Sequence, residues 1–242
     1  MRIPRIYLDS PLHCEQETEL SEDAARHVIK VLRFKVGYRL RLFNGDGHDY
    51  NARLIQVDRR RATVLIEDRT ATETESPLDI ELVQAIGKGE RMDYAVQKSV
   101  ELGVRQIVPL ISEHTVVRLD DDRGEKRRQH WQAVAISACE QCGRGMIPQV
   151  QAVTDLQGWL QTRSRSAILL DPTATDSLKT LEKPQGGLSI LVGPEGGFSS
   201  EEIAQAKAAG VQAIRLGPRV LRSETAGPAV LAVLQTLWGD LD

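Results

Sequence analysis

The chain has 242 residues, 41% of them hydrophobic, with a net charge of −3. That length fits one large or two modest domains, and the hydrophobic share is ordinary for a soluble globular protein. No apolar run approaches the ~20 residues of a membrane span, the opening MRIPRIYLDS has no signal-peptide core, and three cysteines are an odd count for a disulfide scaffold, so a cytoplasmic protein is expected.

The charge is uneven along the chain. Residues 1–66 hold 12 Lys and Arg against 9 Asp and Glu, and the remainder holds 19 against 25. Between Arg26 and Arg41 there are six cations and no acid. A basic front on an acidic body is either an electrostatic footprint for RNA or a solvated charged surface.

Ser21–Leu32 reads as a helix with Ser21 as N-cap. Arg39–Phe43 and Ala52–Val57 alternate apolar with polar, as half-buried strands do, across an Asn44-Gly45-Asp46-Gly47 turn. Ala62–Ile66 is a further strand. A small β-barrel is the natural solution for such a segment. Residues 67–77 are polar, acidic and end in Pro77, the composition of a linker.

After the linker the pattern changes to alternating strands and helices. Leu78–Ile86, Ile107–Ile111, Ala167–Leu170, Leu188–Val192 and Ala213–Leu216 read as strands. Met92–Leu102, Gly124–Cys142, a short Ser177–Leu181 and Thr225–Trp238 read as helices. Ser199-Ser200-Glu201-Glu202 is a capping box for another helix, which Gly210 ends. The alternation predicts an α/β domain with a mostly parallel sheet covered on both faces. The expected division is 1–70, a linker at 71–77, and 78–242.

Two loops stand out. Leu191-Val192-Gly193-Pro194-Glu195-Gly196-Gly197-Phe198-Ser199 and Leu216-Gly217-Pro218-Arg219-Val220-Leu221-Arg222-Ser223-Glu224-Thr225-Ala226 each run from apolar residues through Gly and Pro into a helix. Glycines let backbone groups approach a flat ring closely, and the prolines stiffen the loops. Either loop alone is an ordinary strand-to-helix connection; the two together point to a ligand pocket at strand ends. No G-x-x-x-x-G-K-[ST] is present, and Gly87-Lys88-Gly89 lacks the third glycine of a dinucleotide fingerprint because Met92 stands there.

This wording resembles the SPOUT RNA methyltransferases, and within them the RsmE family. Arg2-Ile3-Pro4-Arg5, His27 to Arg33 with Gly37, Lys88 to Met92 with Lys98, Glu101, Leu102 and Gly103, and Glu140-Gln141 with Arg144 extend the resemblance over nearly the whole chain. Cys142 stands where a small residue, often Ser, is expected. The resemblance implies a PUA-like RNA-binding barrel at the front and a trefoil-knotted domain that binds S-adenosylmethionine (SAM). The activity implied is methylation of N3 of a uridine in 16S ribosomal RNA, by a homodimer. It places the cofactor at Leu170, Gly193, Glu195, Gly196, Gly197, Leu216, Gly217, Leu221 and Ser223, and RNA at Arg2, Arg5, His27, Lys30, Arg33 and Lys35.

Uridine N3 is a poor nucleophile until its proton leaves, so a proton acceptor or a cation that stabilises the anion is needed. Arg222 fits the cation role; pairing with Glu195 or Glu224 is its alternative. Glu140 and Glu195 are candidate acceptors, with Glu195 equally suited to a helix start. Cys139 and Cys142 lie on adjacent helical turns and read as small buried hydrophobes, Asp120-Asp121-Asp122 as helix-start charge, so no metal is expected. Two other readings stay open: a SPOUT enzyme acting on tRNA or 23S rRNA, and a non-catalytic RNA-binding assembly factor.

Overall fold

The computed structural model of the chain describes residues 3–115 and 121–241, the side chain of Asp121 excepted. Arg2 and Asp120 lie outside the described residues. The chain forms two compact units, one built from the chain up to Glu75 together with Cys139–Ile147, the other from Ser76–Ala138 and Pro148 onward. No helix among the described residues is long and apolar enough to cross a membrane.

The first unit is a five-stranded sheet. Its strands are β1 (Arg5–Tyr7), β2 (Glu17–Glu19), β3 (Arg39–Phe43), β4 (His48–Val57) and β5 (Ala62–Ala71), in the order β1-β3-β4-β5-β2. Only β1 and β3 pair in parallel. Leu40, Leu42, Leu54, Val64 and Ile66 point inward onto Ala25 and Val28. The predicted front helix is two pieces: α1 (Glu22–Arg26), whose N-cap Ser21 accepts from Ala24 N, and a π-helical turn over His27–Val31.

The linker reading of 67–77 is corrected in its first five residues, which complete β5. Their polarity belongs to the exposed side of a ribbon: Asn51 donates to Asp68 at 2.6 Å and Arg53 to Glu67 at 2.8 Å across the β4–β5 pair. Residues 72–75 are also fastened. Arg144, buried, donates to Glu75 Oε2 at 2.7 Å, and Thr74 Oγ1 donates to Gly143 O at 2.9 Å. Segment 139–147, read from sequence as part of the C-terminal domain, thus packs with the first unit.

The second unit is a seven-stranded sheet: β6 (Ile80–Ala85), β7 (Gln106–Ile111), β8 (Gln149–Val150), β9 (Thr154–Asp155), β10 (Ser166–Leu170), β11 (Leu188–Val192) and β12 (Gln212–Ile214). The order is β12-β10-β11-β6-β7-β8, with β9 also on β7, and every pair is parallel. β6 and β11 are buried along their whole length, as strands covered on both faces must be. The helices are α2 (Arg91–Glu101), α3 (Asp121–Cys142), α4 (Leu156–Thr162), α5 (Ser200–Ala208) and α6 (Ser223–Trp238). Within the short predicted helix Ser177–Leu181, only a 3-10 turn at Leu178–Thr180 forms.

Candidate functional site

The carboxyl ends of three adjacent strands, β12, β10 and β11, open into one cleft of about 420 Å³. Leu170 and Asp171 reach it from β10, Val192 to Glu195 with Gly197 from β11, and Arg215 to Gly217 from β12. The start of α6 closes it with Leu221, Arg222, Ser223, Glu224 and Ala226. Strand order reverses here, since the chain goes from β10 to β11 on one side and returns to β12 on the other, and crevices at such points are where open parallel sheets bind ligands.

The β11 loop is held by its own hydrogen bonds and by its neighbours. Gly197 N donates to Pro194 O at 2.9 Å, closing a turn with Gly197 at φ +71°. A Cβ on Gly193 would lie 3.1 Å from Phe198 N and 3.2 Å from Gly197 C, so a side chain there would push the folded-back loop apart by a few tenths of an ångström. The predicted capping box is present: Ser199 Oγ accepts from Glu202 N, and Glu202 Oε2 from Ser199 N at 2.8 Å. The second oxygen of Glu202 accepts from Glu113 N at 2.9 Å, which ties the loop to the segment after β7.

Ser223 joins the two loops. Its hydroxyl donates to Gly193 O at 2.7 Å and accepts from Gln84 Nε2 at 2.9 Å. Its side chain therefore locks β6, the β11 loop and the start of α6 together. His114, exposed, has Nδ1 3.2 Å from Gly196 O and 3.1 Å from Gly197 O, so Nδ1 carries the proton and donates to both.

Of the nine residues expected at the cofactor, eight line the cleft. Gly196 stands between lining residues, and a Cβ there would meet His114 Cβ at 3.2 Å.

Arg222 lines the cleft as the N-cap of α6. Its guanidinium has no hydrogen bond or ion pair among the described residues. The carboxylates considered as its partners go to Arg91 instead: Arg91 pairs with Glu195, and its Nε lies 3.9 Å from Glu224. Burial pushes the Glu195 carboxyl up, but its own and the Lys88 backbone N–H and the Arg91 guanidinium outweigh that and hold it below its ordinary value. Glu195 is thus an ionised brace and a poor proton acceptor.

Glu140, the other carboxylate considered as an acceptor, belongs to the first unit, where its carboxylate accepts from Tyr7 N at 2.9 Å. Burial raises its pKa against the opposing pull of that bond, His27 and Arg5.

In the first unit, His27, Lys30, Arg33 and Lys35 are exposed. Arg5 is not a surface contact. Its side chain, 6% exposed, donates to Asp49 Oδ1 at 2.6 Å, Cys139 O at 2.6 Å and Arg144 O at 3.1 Å, and stacks 4.1 Å over Phe43. Cys139 is buried, its thiol pushed up to about 12 chiefly by desolvation, which suits the packing role expected of it.

The RNA methyltransferase domain family matches residues 74–235, and the RNA methyltransferase PUA domain matches 20–67. The ribosomal RNA small subunit methyltransferase E of Buchnera aphidicola (from Acyrthosiphon pisum) is 34% identical over 99% of this chain and 95% of its own. The chain belongs to the ribosomal RNA small subunit methyltransferase E family. Two solved structures are similar over 100% of both chains at 40% identity. One is a Legionella pneumophila methyltransferase with bound SAM, at TM-score 0.96. The other is the family member from Neisseria gonorrhoeae bound to S-adenosylmethionine, at TM-score 0.93.

Proposed function

We propose that the chain uses SAM to methylate N3 of a uridine in 16S ribosomal RNA, in the cytoplasm. The observation that carries this reading is the cleft of about 420 Å³ at the carboxyl ends of β10, β11 and β12, in a chain 40% identical to proteins that hold SAM. The residues present fit that cofactor. The volume lies in the range of small-ligand pockets, roughly 300–1,000 Å³. Leu170, Leu216 and Leu221 supply apolar walls, and Gly193, Gly197 and Gly217 leave backbone groups uncovered for a purine edge.

When bound, SAM supplies an electrophilic methyl group. The chain must orient the uridine and stabilise the charge that appears on its ring as the N3 proton leaves. Arg222, free of partners at the cleft, is the group for that charge: a guanidinium donates to a uracil carbonyl and favours the anion. Arg91 and Glu195 neutralise each other and keep the loop in place.

The test is transfer of labelled methyl from SAM to small subunits that lack the modification, with the product mapped to a nucleotide. A single N3-methyluridine in 16S RNA is expected. Label on tRNA or 23S RNA selects the other RNA substrates, and a chain that takes up no SAM in calorimetry is a binding protein instead.

We assign RNA docking to the first unit through exposed Lys30, Arg33 and Lys35. Changing all three to Gln removes three potential phosphate contacts. The slope of log affinity against log salt should become shallower by about 2–3, at roughly 0.7–0.9 per contact, with SAM affinity unchanged. An unchanged slope moves the footprint elsewhere. A homodimer is the assembly this reading favours: α6 buries Val230, Leu231 and Leu234 but leaves Val233 37% and Leu237 52% exposed. A monomer mass in sedimentation equilibrium removes it.

A further inference from the structure

The methylation reading needs an acceptor for the N3 proton, and among the carboxylates that line the cleft Glu195 is braced by Arg91. Asp171, which lines it, has one oxygen taken: it accepts from Thr173 N at 2.8 Å and from Thr173 Oγ1 at 2.7 Å. Of the three carboxylates in the lining, Glu224 alone has a buried oxygen without a donor. Glu224 lines the cleft from the first turn of α6, its side chain 15% exposed. Its Oε1 lies 3.9 Å from Arg91 Nε, beyond hydrogen-bond length. Its Oε2 is buried and has no hydrogen-bond partner. Buried carboxylate oxygens without a donor are rare in folded proteins, because the lost hydration has to be replaced. A donor brought by the ligand supplies the replacement.

Resting on the proposed function, we infer that Glu224 is the proton acceptor for uridine N3. The N3–H bond breaks with its proton passing to the Glu224 carboxylate. The electron pair left on N3 forms the new N–CH3 bond. The pair of the breaking C–S bond stays on sulfur, which becomes an uncharged thioether, and Glu224 releases the proton to solvent after product leaves. Arg222, two residues earlier in the chain, faces the same cleft and stabilises the uracil oxygen while the proton moves. The other charged groups lining the cleft are Arg91, Arg215, Arg219, Asp171 and Glu195. The cations among them, with the N-terminus of α6, surround Glu224 with positive potential.

The experiment compares wild type, Glu224→Gln and Glu224→Asp as full chains, by single-turnover methyl transfer to unmodified small subunits across pH and by calorimetric SAM titration. For wild type the rate should fall at acid pH as the carboxylate takes up a proton. Glu224→Gln should lose about 10²–10⁴-fold in rate, the usual worth of a general base, and lose the acid limb. Its residual rate should climb in proportion to hydroxide. SAM affinity should be unchanged. Glu224→Asp keeps the charge one methylene further back, so it should keep the acid limb at a reduced rate; it also serves as the folded variant if the amide disturbs α6.

A wild-type rate in Glu224→Gln overturns the assignment. So does a loss of SAM affinity that accounts for the loss of rate, which would make Glu224 a holder of the cofactor's ammonium group. Wild type that binds no SAM overturns the methyltransferase reading itself, a result distinct from either.

Discussion

Replacing Arg222 by Gln should lower the single-turnover rate of methyl transfer by about 10²–10³-fold, the worth of one preorganised donor to a developing oxyanion, while SAM affinity stays as it was. The expectation follows from how charge is distributed at the cleft. Two carboxylates and two guanidinia there could have neutralised one another. Instead Arg91 holds Glu195 and stands 3.9 Å from Glu224, and Arg222 is left without a partner among the described residues. A guanidinium without a carboxylate has its full field available to a substrate. It also sits at the N-terminus of α6, where the unpaired N–H groups add to the positive potential. Arg222→Lys should fall between, since an ammonium keeps the charge but not the planar fork. If Arg222→Gln raised KM for RNA and left kcat alone, Arg222 would be a phosphate contact, and the activation step would lie elsewhere.

What sequence could reveal divides along the line between local and distant interactions. The capping box at Ser199 and Glu202, the strand ends at Leu170 and Val192, and the glycines of both loops are local patterns. Each is set by φ, by helix-end hydrogen bonding or by burial over a few residues, and each is found where the sequence places it. The braces are not local. His114 meets the β11 loop across 82 residues, and Ser223 meets Gln84 across 139. Nothing in the neighbourhood of either residue announces those partners. Arg5 shows the same limit from the other side. In sequence it is a cation in a basic stretch. In the fold, acceptors 44, 134 and 139 residues away enclose it. Residues 67–71 mislead for a different reason: a polar strand edge and a linker share a composition, and only the pairing with β4 separates them. Asp171 and Pro172, which also line the cleft, had a usable signal, since an apolar run breaks at proline there as it does at Val192-Gly193-Pro194.

The bracing has a functional consequence. A cleft built from loops loses affinity to the entropy of ordering them. Here the β11 loop is tied to α2 through Arg91, to the segment after β7 through His114 and Glu113, and to α6 through Ser223. Those ties lower the entropy lost when a ligand orders the cradle, with Arg222 and Glu224 at its edge.

Glu81→Ala should destabilise the chain by about 3–5 kcal/mol, the range for removing one member of a buried charged cluster. Glu81 stands in β6 with its side chain 7% exposed. Its two oxygens take four donors: Oε1 accepts from Trp159 Nε1 at 3.2 Å and Ser189 Oγ at 2.7 Å, Oε2 from Gln106 Nε2 at 3.0 Å and Arg165 NH1 at 3.4 Å. Those donors come from α4, β11, β7 and the start of β10, so one carboxylate ties four parts of the second unit together. Alanine leaves the Trp159 N–H and Ser189 hydroxyl in the interior without an acceptor, each at a cost of about 1–3 kcal/mol. Arg165 loses less, because it is 25% exposed and keeps Asp79 at 3.1 Å. That places the total toward the lower end of the range. Glu81→Gln keeps one acceptor oxygen but turns an NH2 group toward two donors, so it should fall between wild type and alanine. Urea unfolding followed by fluorescence measures both variants, with the midpoint shifted and the slope kept. A midpoint for Glu81→Ala equal to that of wild type would mean the cluster contributes nothing. Gln84, which reaches Ser223 and the cleft, is three residues further along β6, about 10 Å at 3.3 Å per residue. Folded Glu81→Gln should therefore bind SAM as wild type does, which separates the residue that holds the sheet from those that hold the ligand.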